Sequence, residues 1–216
     1  MTQSKFNTIF LDIETQASEA KPDVSEVKVP ASYKKPESIL AYQEEHLEEY
    51  WMKTALDPFE GRIYCVGITH DNLEDIVSLH GDTEKDTLLL VKEYLERFPF
   101  GKIVAHNGNE FDFRWLFLRS IKHGLKDLAL AFSGKSTYEL VDTMRMADGS
   151  AWKTMASLDK LCKLIGIEGK GDINGSMVPQ MILQGKGKEV QEYCKDDIYK
   201  LRKVYLALGG YIYENV

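Results

Sequence analysis

The chain of 216 residues is 44% hydrophobic and 28% charged, a composition that indicates a folded protein with a core and excludes wholesale disorder. Its formal net charge is −7, which excludes a passive nucleic-acid binder of the basic kind, although metal ions held by carboxylates can still make part of an acidic surface locally positive. No stretch approaches the roughly 18 consecutive apolar residues of a membrane span, the N-terminus lacks the pattern of a signal peptide, and the 3 cysteines lack metal-type spacing, which is typical of reduced thiols in a cytosol.

The first predicted element is a strand over residues 6–15, because FNTIFLDIET is a β-branched and aromatic run of strand length. Residues 16–60 differ in character: they hold four of the 6 prolines, and no glycine precedes Gly61. Within them, residues 37–56 carry apolar side chains near helical spacing. We therefore interpret residues 16–60 as an extended arm and one amphipathic helix, inserted after the first strand of a single domain that spans residues 1–216.

From Gly61 onward, predicted strands and helices follow one another closely. The strands cover residues 62–70, 75–81, 102–108 and 137–144, and the helices cover residues 83–98, 111–124, 157–166 and 188–208. Thr83 is expected to cap the helix over 83–98, with Asp86 three residues later. A turn at Asp71 and Asn72 joins the first two of these strands, and the glycine-rich residues 166–187 are predicted to form a mobile loop with a short helix. Since no helix separates the strand pair, the order favours an α/β fold with a mixed sheet over an all-parallel one.

Two acids, Asp12 and Glu14, lie near the end of the first strand. The period of two places both carboxylates on one face beside Phe10, while Ile9, Leu11 and Ile13 take the other face. Apolar residues on both faces predict a central strand, where an ionised carboxylate is costly unless it is paired or bound to a metal. The plainer interpretation is a pair of acids that face solvent at a strand end.

A third acid, Asp112, lies in the first turn of a predicted helix. Asn107 and Gly108 look like turn residues ahead of it. An acid at this position is favoured by the helix dipole alone, with no catalytic role. However, Phe111 and Phe113 on either side are unusual neighbours for a solvated cap.

The last predicted helix carries Tyr193 and Asp197, which share a face because they are four residues apart. A surface Tyr–Asp pair would explain them equally simply. Asp196 points about 100° away, and we interpret it as the solvated neighbour.

Two further polar residues have structural interpretations that we prefer. Asp142 is predicted to be a turn residue at a strand end, although it could instead lie near the acids and hold a ligand in place. His106 stands beside Asn107, and no second histidine lies at ligand spacing from it.

The four acids Asp12, Glu14, Asp112 and Asp197 share one property, which is that all are hard oxygen donors. Oxygen-only ligands favour Mg²⁺ or Mn²⁺ over zinc or copper. Two such ions about 3.5–4 Å apart can activate a water and stabilise the leaving oxygen of an in-line phosphoryl displacement. Tyr193 could then orient that water.

Three segments, FLDIET, HNGNEFD and YCKDD, resemble in order and spacing the three motifs of the DEDD superfamily of 3′→5′ exonucleases. Tyrosine rather than histidine at position 193 is similar to the DEDDy branch, closest to the exonuclease domains of family B DNA polymerases and their stand-alone phage or bacterial relatives. The resemblance implies a ribonuclease-H-like mixed sheet flanked by helices. It also implies two divalent metal ions, Mg²⁺ or Mn²⁺, bound by Asp12, Glu14, Asp112 and Asp197, with Tyr193 completing the catalytic set.

The same resemblance implies that Thr15 (through its backbone), Asn107 and Phe111 hold the 3′-terminal nucleotide. We therefore expect a metal-dependent exonuclease that releases nucleoside 5′-monophosphates from DNA, preferably single-stranded, because the terminal nucleotide must be unstacked. Its expected partners are DNA 3′ ends and a DNA polymerase or another replication or repair protein, with no membrane. The expected location is the cytoplasm of a bacterium or of a phage-infected host.

Other functions remain open at this point. An exoribonuclease of the same superfamily, an endonuclease of related fold, and an accessory binding module with a relic site are the alternatives. The aromatic residues of the insertion favour a cover over the substrate groove, although packing on the sheet edge would account for them as well. They are Tyr33, Tyr42, Tyr50 and Trp51.

Overall fold

A computed structural model describes residues 7–70, 76–149, 155–169, 171 and 173–210. A sheet of five strands is its central feature, in the order β3-β2-β1-β4-β5. The strands are β1 (Asn7–Gln16), β2 (Arg62–His70), β3 (Val77–Leu79), β4 (Gly101–Ala105) and β5 (Tyr138–Asp142). β1 pairs antiparallel with β2 and parallel with β4, so the predicted mixed sheet with a central first strand is confirmed.

Helices cover both faces and the end of this sheet. They are α1 (Pro36–Lys53), α2 (Glu84–Glu96), α3 (Asp112–Lys122), α4 (Lys126–Ala131), α5 (Thr143–Asp148), α6 (Leu158–Leu164), α7 (Val178–Leu183) and α8 (Gly187–Ala207). The short helix expected within residues 166–187 is α7. The predicted capping of α2 by Thr83 and Asp86 is confirmed, and Gly124 follows α3 with a φ of 71°.

Three predicted strands extend past the observed ones, and two short helices were not predicted. The strand over 102–108 ends at Ala105. The strand over 137–144 ends at Asp142, which caps α5 by accepting a hydrogen bond from Met144 N. Neither α5 nor α4 was predicted, because each has six residues, too few for a helical period to emerge. The strand over 75–81 is shorter than expected, and the turn at Asp71 and Asn72 lies outside the described residues.

The two faces of β1 pack against different helices. Ile9, Leu11 and Ile13 join a core built with α2, α3 and α4. Phe10 packs on the opposite face against α8, where its ring meets Tyr205 edge to face with centroids 5.5 Å apart. α8 therefore lies on the face of β1 that carries Phe10. Because side chains alternate along a strand, Asp12 and Glu14 lie on that same face.

The segment between β1 and β2 consists of an arm and the helix α1. No residue of α1, every one of which is described, is buried. Trp51 Nε1 donates to Ser18 O at 2.9 Å, and Thr15 Oγ1 donates to Ala55 O at 2.6 Å. These two contacts fix the base of the segment beside the end of β1.

A buried ion network joins α2 to α3 on the face opposite α8. Glu84 accepts two hydrogen bonds from Arg119, at 2.7 and 2.6 Å, and Ile63 N donates to the same carboxylate at 2.8 Å. His123 Nε2 lies 2.7 Å from Glu84 Oε2. The network satisfies polar groups that would otherwise be costly to bury.

Among the described residues, no helix is long and apolar enough to cross a membrane.

Candidate active site

The end of β1 supplies the first two acids of the candidate site. Asp12 is half-buried and Glu14 is buried, and both share a face with Phe10 as the period of two predicted. A β-bulge follows directly, since Glu14 pairs with Cys65 but Thr15 pairs with Ile63. The bulge shifts the register of the β1–β2 pairing beside the site, and the pairing then continues to Gln16 and Arg62.

Gly67 of β2 allows α8 to lie unusually close to the sheet. A Cβ atom at this position would be 2.9 Å from both Cys194 O and Cys194 Sγ, so only glycine fits. Gly67 N donates to Cys194 Sγ at 3.1 Å, and Gly67 lies opposite Asp12 in the β1–β2 ladder. The sequence did not suggest this contact, because it joins residues 127 positions apart.

α8 brings Tyr193 and Asp197, both buried, against the acids of β1. Burial raises the pKa of Tyr193 above its ordinary value, the negative charges of Asp197, Glu14 and Asp12 raise it further, and a hydrogen bond to Asp197 adds to the effect. The phenol is therefore neutral and keeps an O–H that it can donate.

Cys194, next to Tyr193, lies beside the same acids. Its Sγ is 3.6 Å from Asp12 Oδ2 and 3.6 Å from Asp12 O. A hydrogen bond with Cys65, together with burial, raises the pKa of the Cys194 thiol. The sulfur thus carries its proton in the absence of a metal.

Asp112, the first residue of α3, follows β4 in the chain and contacts β1. Its Oδ1 accepts a hydrogen bond from Ile13 N at 3.1 Å, and its side chain is buried. Burial raises its pKa to about 7, and the charges of Asp142 and Asp197 contribute, although backbone hydrogen bonds oppose the shift. The third predicted acid thus lies close to the fourth and to the peptide that joins the first two.

Asp142 supports the loop that leads into α3. It accepts hydrogen bonds from Asn107 N at 2.9 Å and Asn109 N at 3.2 Å, while it caps α5 through Met144 N at 2.9 Å. Asp142 therefore lies at a strand end, as predicted, but it caps a helix instead of forming a turn, and it is near enough to Asp112 to influence its pKa. A sequence identifies an Asp just before a helix as a possible cap, but it does not reveal the contact of that Asp with a distant loop.

The three residues expected to hold a nucleotide lie around these acids. Asn107 has a φ of 60°, a left-handed conformation held by the Asp142 carboxylate. Phe111 is half-buried and packs on Trp115 with ring centroids 5.8 Å apart. The hydroxyl of Thr15 is engaged by Ala55 O, so the backbone is the part of Thr15 that can serve a ligand.

His106 has the structural environment that we preferred for it. Its Nδ1 lies 3.0 Å from Thr143 Oγ1, between the ends of β4 and β5.

Sequence reasoning missed Lys200, a buried cation on α8. Its ammonium group pairs with Asp196 and lies 3.9 Å from Asp197 Oδ1, while only 5% of its side chain is exposed. Asp196 is more than half exposed, as a solvated neighbour should be. The spacing of three and four residues was readable in the sequence, but the burial of the lysine was not.

The donors at this site fit divalent cations. One donor atom from each of Asp12, Glu14 and Cys194 lies within 4.8 Å of the other two. Asp197 and Asp112 add buried carboxylates. Burial is the main cause of the raised pKa of Asp112, and repulsion from the charges of Asp142 and Asp197 adds to it. Hard cations would relieve this repulsion and satisfy several oxygens at once.

Comparison with protein families places the chain among nucleases. The sequence profile of a family described as "Predicted 3'-5' exonuclease related to the exonuclease domain of PolB" matches residues 62–211. The chain belongs to this family. The match includes Asp112, Tyr193 and Asp197 but begins after β1, so it does not extend to Asp12 and Glu14. Membership of this exonuclease family implies the use of divalent metal ions. No curated protein matches the chain.

The fold is also similar to that of a solved polymerase. The family B DNA polymerase from the hyperthermophilic archaeon Pyrobaculum calidifontis matches with a TM-score of 0.63 and 15% sequence identity. The similarity covers 94% of this chain and 24% of the polymerase, so the chain spans about a quarter of the polymerase's length. The mixed five-stranded sheet flanked by helices is therefore a ribonuclease-H-like fold, as predicted.

Proposed function

We propose that this chain is a metal-dependent 3′→5′ exonuclease that removes nucleoside 5′-monophosphates from the 3′ ends of DNA, with single-stranded ends preferred. The observation that carries the proposal is the meeting of acids from three separate elements: β1 supplies Asp12 and Glu14, α3 supplies Asp112, and α8 supplies Asp197. Membership of the exonuclease family supports the same conclusion.

The four acids would hold two divalent ions, Mg²⁺ or Mn²⁺. Bound ions of this kind supply an activated water and stabilise the leaving oxygen of the phosphodiester. Tyr193, kept neutral by its surroundings, would orient the attacking water through its hydroxyl oxygen, which can accept a hydrogen bond while the O–H donates to Asp197. Lys200, whose ammonium group lies 3.9 Å from Asp197 Oδ1, would help to fix the position of Asp197.

The terminal nucleotide would bind next to these acids. Phe111 would offer an aromatic face to the terminal base, Asn107 would offer its amide side chain, and the backbone at Thr15 would offer polar groups next to the β-bulge. Unstacking the terminal base costs less at a single-stranded end than in a duplex, which is the reason to propose single-stranded DNA as the preferred substrate.

We further propose that residues 1–216 form one exonuclease domain with residues 16–60 inserted, which acts in the cytoplasm together with a DNA polymerase or another replication or repair protein. The similarity to one part of a DNA polymerase supports this role. The 3 cysteines are buried and form no disulfide, which supports a cytoplasmic location.

The test is degradation of a 5′-labelled single-stranded DNA oligonucleotide, with a matched RNA alongside. We expect a ladder of progressively shortened DNA products in Mg²⁺ or Mn²⁺, no products in excess chelator, and slower digestion of RNA. Asp197→Asn should abolish the ladder, whereas Glu192→Gln, which changes an exposed acid on the same helix, should largely preserve it. Faster digestion of RNA would favour the exoribonuclease, and cleavage of a circular single strand would favour an endonuclease.

A further inference from the structure

Cys194 places a sulfur atom beside the carboxylates of β1. Its side chain is fully buried, and its Sγ lies 3.6 Å from Asp12 Oδ2. Glu14 completes a group in which the three donor atoms lie within 4.8 Å of one another. The four acids of the proposed exonuclease site are all hard oxygen donors, whereas the sulfur of Cys194 is a soft donor.

The separation of the sulfur and the oxygen matches that of two ligands of a single ion. In a tetrahedral zinc site a thiolate lies about 2.3 Å and a carboxylate oxygen about 2.1 Å from the metal, which places the two ligand atoms about 3.6 Å apart. The observed distance between Cys194 Sγ and Asp12 Oδ2 is 3.6 Å. Zn²⁺ and the softer cation Cd²⁺ accept mixed sulfur and oxygen ligands, whereas Mg²⁺ requires oxygen ligands.

We propose that Asp12, Glu14 and Cys194 form a binding site for one thiophilic divalent ion, Zn²⁺ or Cd²⁺, which competes with Mg²⁺ for the carboxylates of β1. On binding, the S–H bond of Cys194 breaks, the proton passes to solvent, and a sulfur–metal bond forms without any change of oxidation state. The assignment of the competing Mg²⁺ site rests on the proposed exonuclease function, while the thiophilic site stands on its own geometry.

One neighbour of the sulfur would stabilise a thiolate once a metal displaces the proton, although burial and the nearby acids favour the thiol in the metal-free chain. Gly67 N already donates a hydrogen bond to Cys194 Sγ at 3.1 Å and would continue to do so to a thiolate. Cys65 is hydrogen-bonded to Cys194 and lies opposite Glu14 in the β1–β2 ladder. A site built only from the two thiols is therefore the competing arrangement that an experiment must separate.

Titration of the reduced full-length chain with Cd²⁺, without DNA, tests the proposal through the ultraviolet charge-transfer band of a cadmium–thiolate bond. We expect the band in the wild-type chain and its loss in both Cys194→Ser and Cys194→Ala. Cys65→Ser and Cys162→Ser should retain it. Asp12→Asn, with Cys194 intact, should weaken the apparent Cd²⁺ affinity by at least about 10-fold, because a ligand is lost.

Each outcome decides the proposal. A band that is absent from the wild-type chain, that survives in Cys194→Ala, or that disappears in Cys65→Ser while Asp12→Asn leaves the affinity unchanged would overturn it. If the Cys194 variants fail to fold by circular dichroism, the Asp12→Asn and Cys65→Ser affinities still decide between the two arrangements. Mg²⁺-supported digestion of DNA is measured on the wild-type chain in parallel, so that a protein with the band but no nuclease activity refutes only the exonuclease function.

Discussion

The Oδ1 atom of Asp112 accepts a hydrogen bond from the backbone N–H of Ile13 at 3.1 Å, although the two residues are 99 positions apart. This contact fixes the first residue of α3 against the peptide that lies between Asp12 and Glu14. It also holds the carboxylate in a buried position, where ionisation is costly without a cation nearby. The position of the third acid relative to the first two therefore depends on a main-chain hydrogen bond as well as on side-chain packing.

Substitution of Asp112 by Asn should stabilise the metal-free protein at alkaline pH. The pKa of Asp112 is raised to about 7 in the folded state, above its unfolded value, so the folded state binds more protons and loses stability as pH rises towards 7. An amide can still accept the hydrogen bond from Ile13 N but carries no charge. We expect Asp112→Asn to raise the free energy of unfolding by about 1–3 kcal/mol near pH 8.5 and by much less near pH 5.

Urea unfolding in excess chelator at both pH values measures this difference. Asp127→Asn, which changes an exposed acid in the first turn of α4, is the control and should show no such dependence on pH. An equal effect of Asp112→Asn at the two pH values would show that the carboxyl is not protonated in the folded chain.

Several features of the fold and of the site could be predicted from the sequence, because they depend on patterns between residues close in the chain. The period of a strand placed Asp12 and Glu14 on one face, and the period of a helix placed Tyr193 with Asp197. A capping pattern located the start of α2 at Thr83. Each of these relationships spans four residues or fewer.

The remaining parts depend on contacts between distant segments. The close packing of Gly67 on Cys194 and the support of Asn107 by Asp142 join elements whose proximity no single-sequence pattern encodes. Likewise, the burial of Lys200 depends on how the elements around α8 pack together. These contacts determine the distances within the site, whereas local sequence patterns only identify its candidate residues.

Replacement of Tyr193 by Phe should slow the proposed reaction without disturbing metal binding. The ring remains packed on α8, but the hydroxyl that donates to Asp197 and would orient the water is removed. We expect turnover on single-stranded DNA to fall by about 10- to 100-fold, with Mn²⁺ affinity by calorimetry unchanged. Tyr199→Phe, an exposed tyrosine on the same helix, should retain full turnover. Unchanged turnover in Tyr193→Phe would remove this residue from the mechanism.

Addition of one methyl group at Gly67 should separate α8 from the sheet. The new Cβ would lie 2.9 Å from the carbonyl oxygen of Cys194, and backbone cannot rotate away as a flexible side chain can. We expect Gly67→Ala to lower the free energy of unfolding by about 1–3 kcal/mol and to reduce nuclease activity, because Tyr193 and Asp197 move with the helix. Gly175→Ala is the matched control, since its Cβ would meet no atom within 4 Å. Wild-type activity in Gly67→Ala would show that the site tolerates displacement of α8.

Loss of the Arg119 guanidinium should destabilise the fold on the face opposite α8. Burial alone would raise the pKa of Glu84, but hydrogen bonds from Arg119, His123 and Ile63 N outweigh that effect and lower it. Arg119→Met leaves the buried carboxylate without its bidentate partner, and we expect a loss of about 3–5 kcal/mol at neutral pH.

The double variant Glu84→Gln/Arg119→Met should recover part of that loss, since it no longer buries an unpaired charge. Because the folded pKa of Glu84 is depressed, its contribution is complete above the ordinary pKa of a glutamate and disappears as pH falls through the folded value. The stability gap between the wild-type chain and Arg119→Met should therefore narrow in acid. Chemical unfolding from neutral pH downward tests this, with Lys122→Met, an exposed cation at the end of α3, as the control. A gap that is constant with pH would mean that Arg119 stabilises the fold by packing rather than by charge.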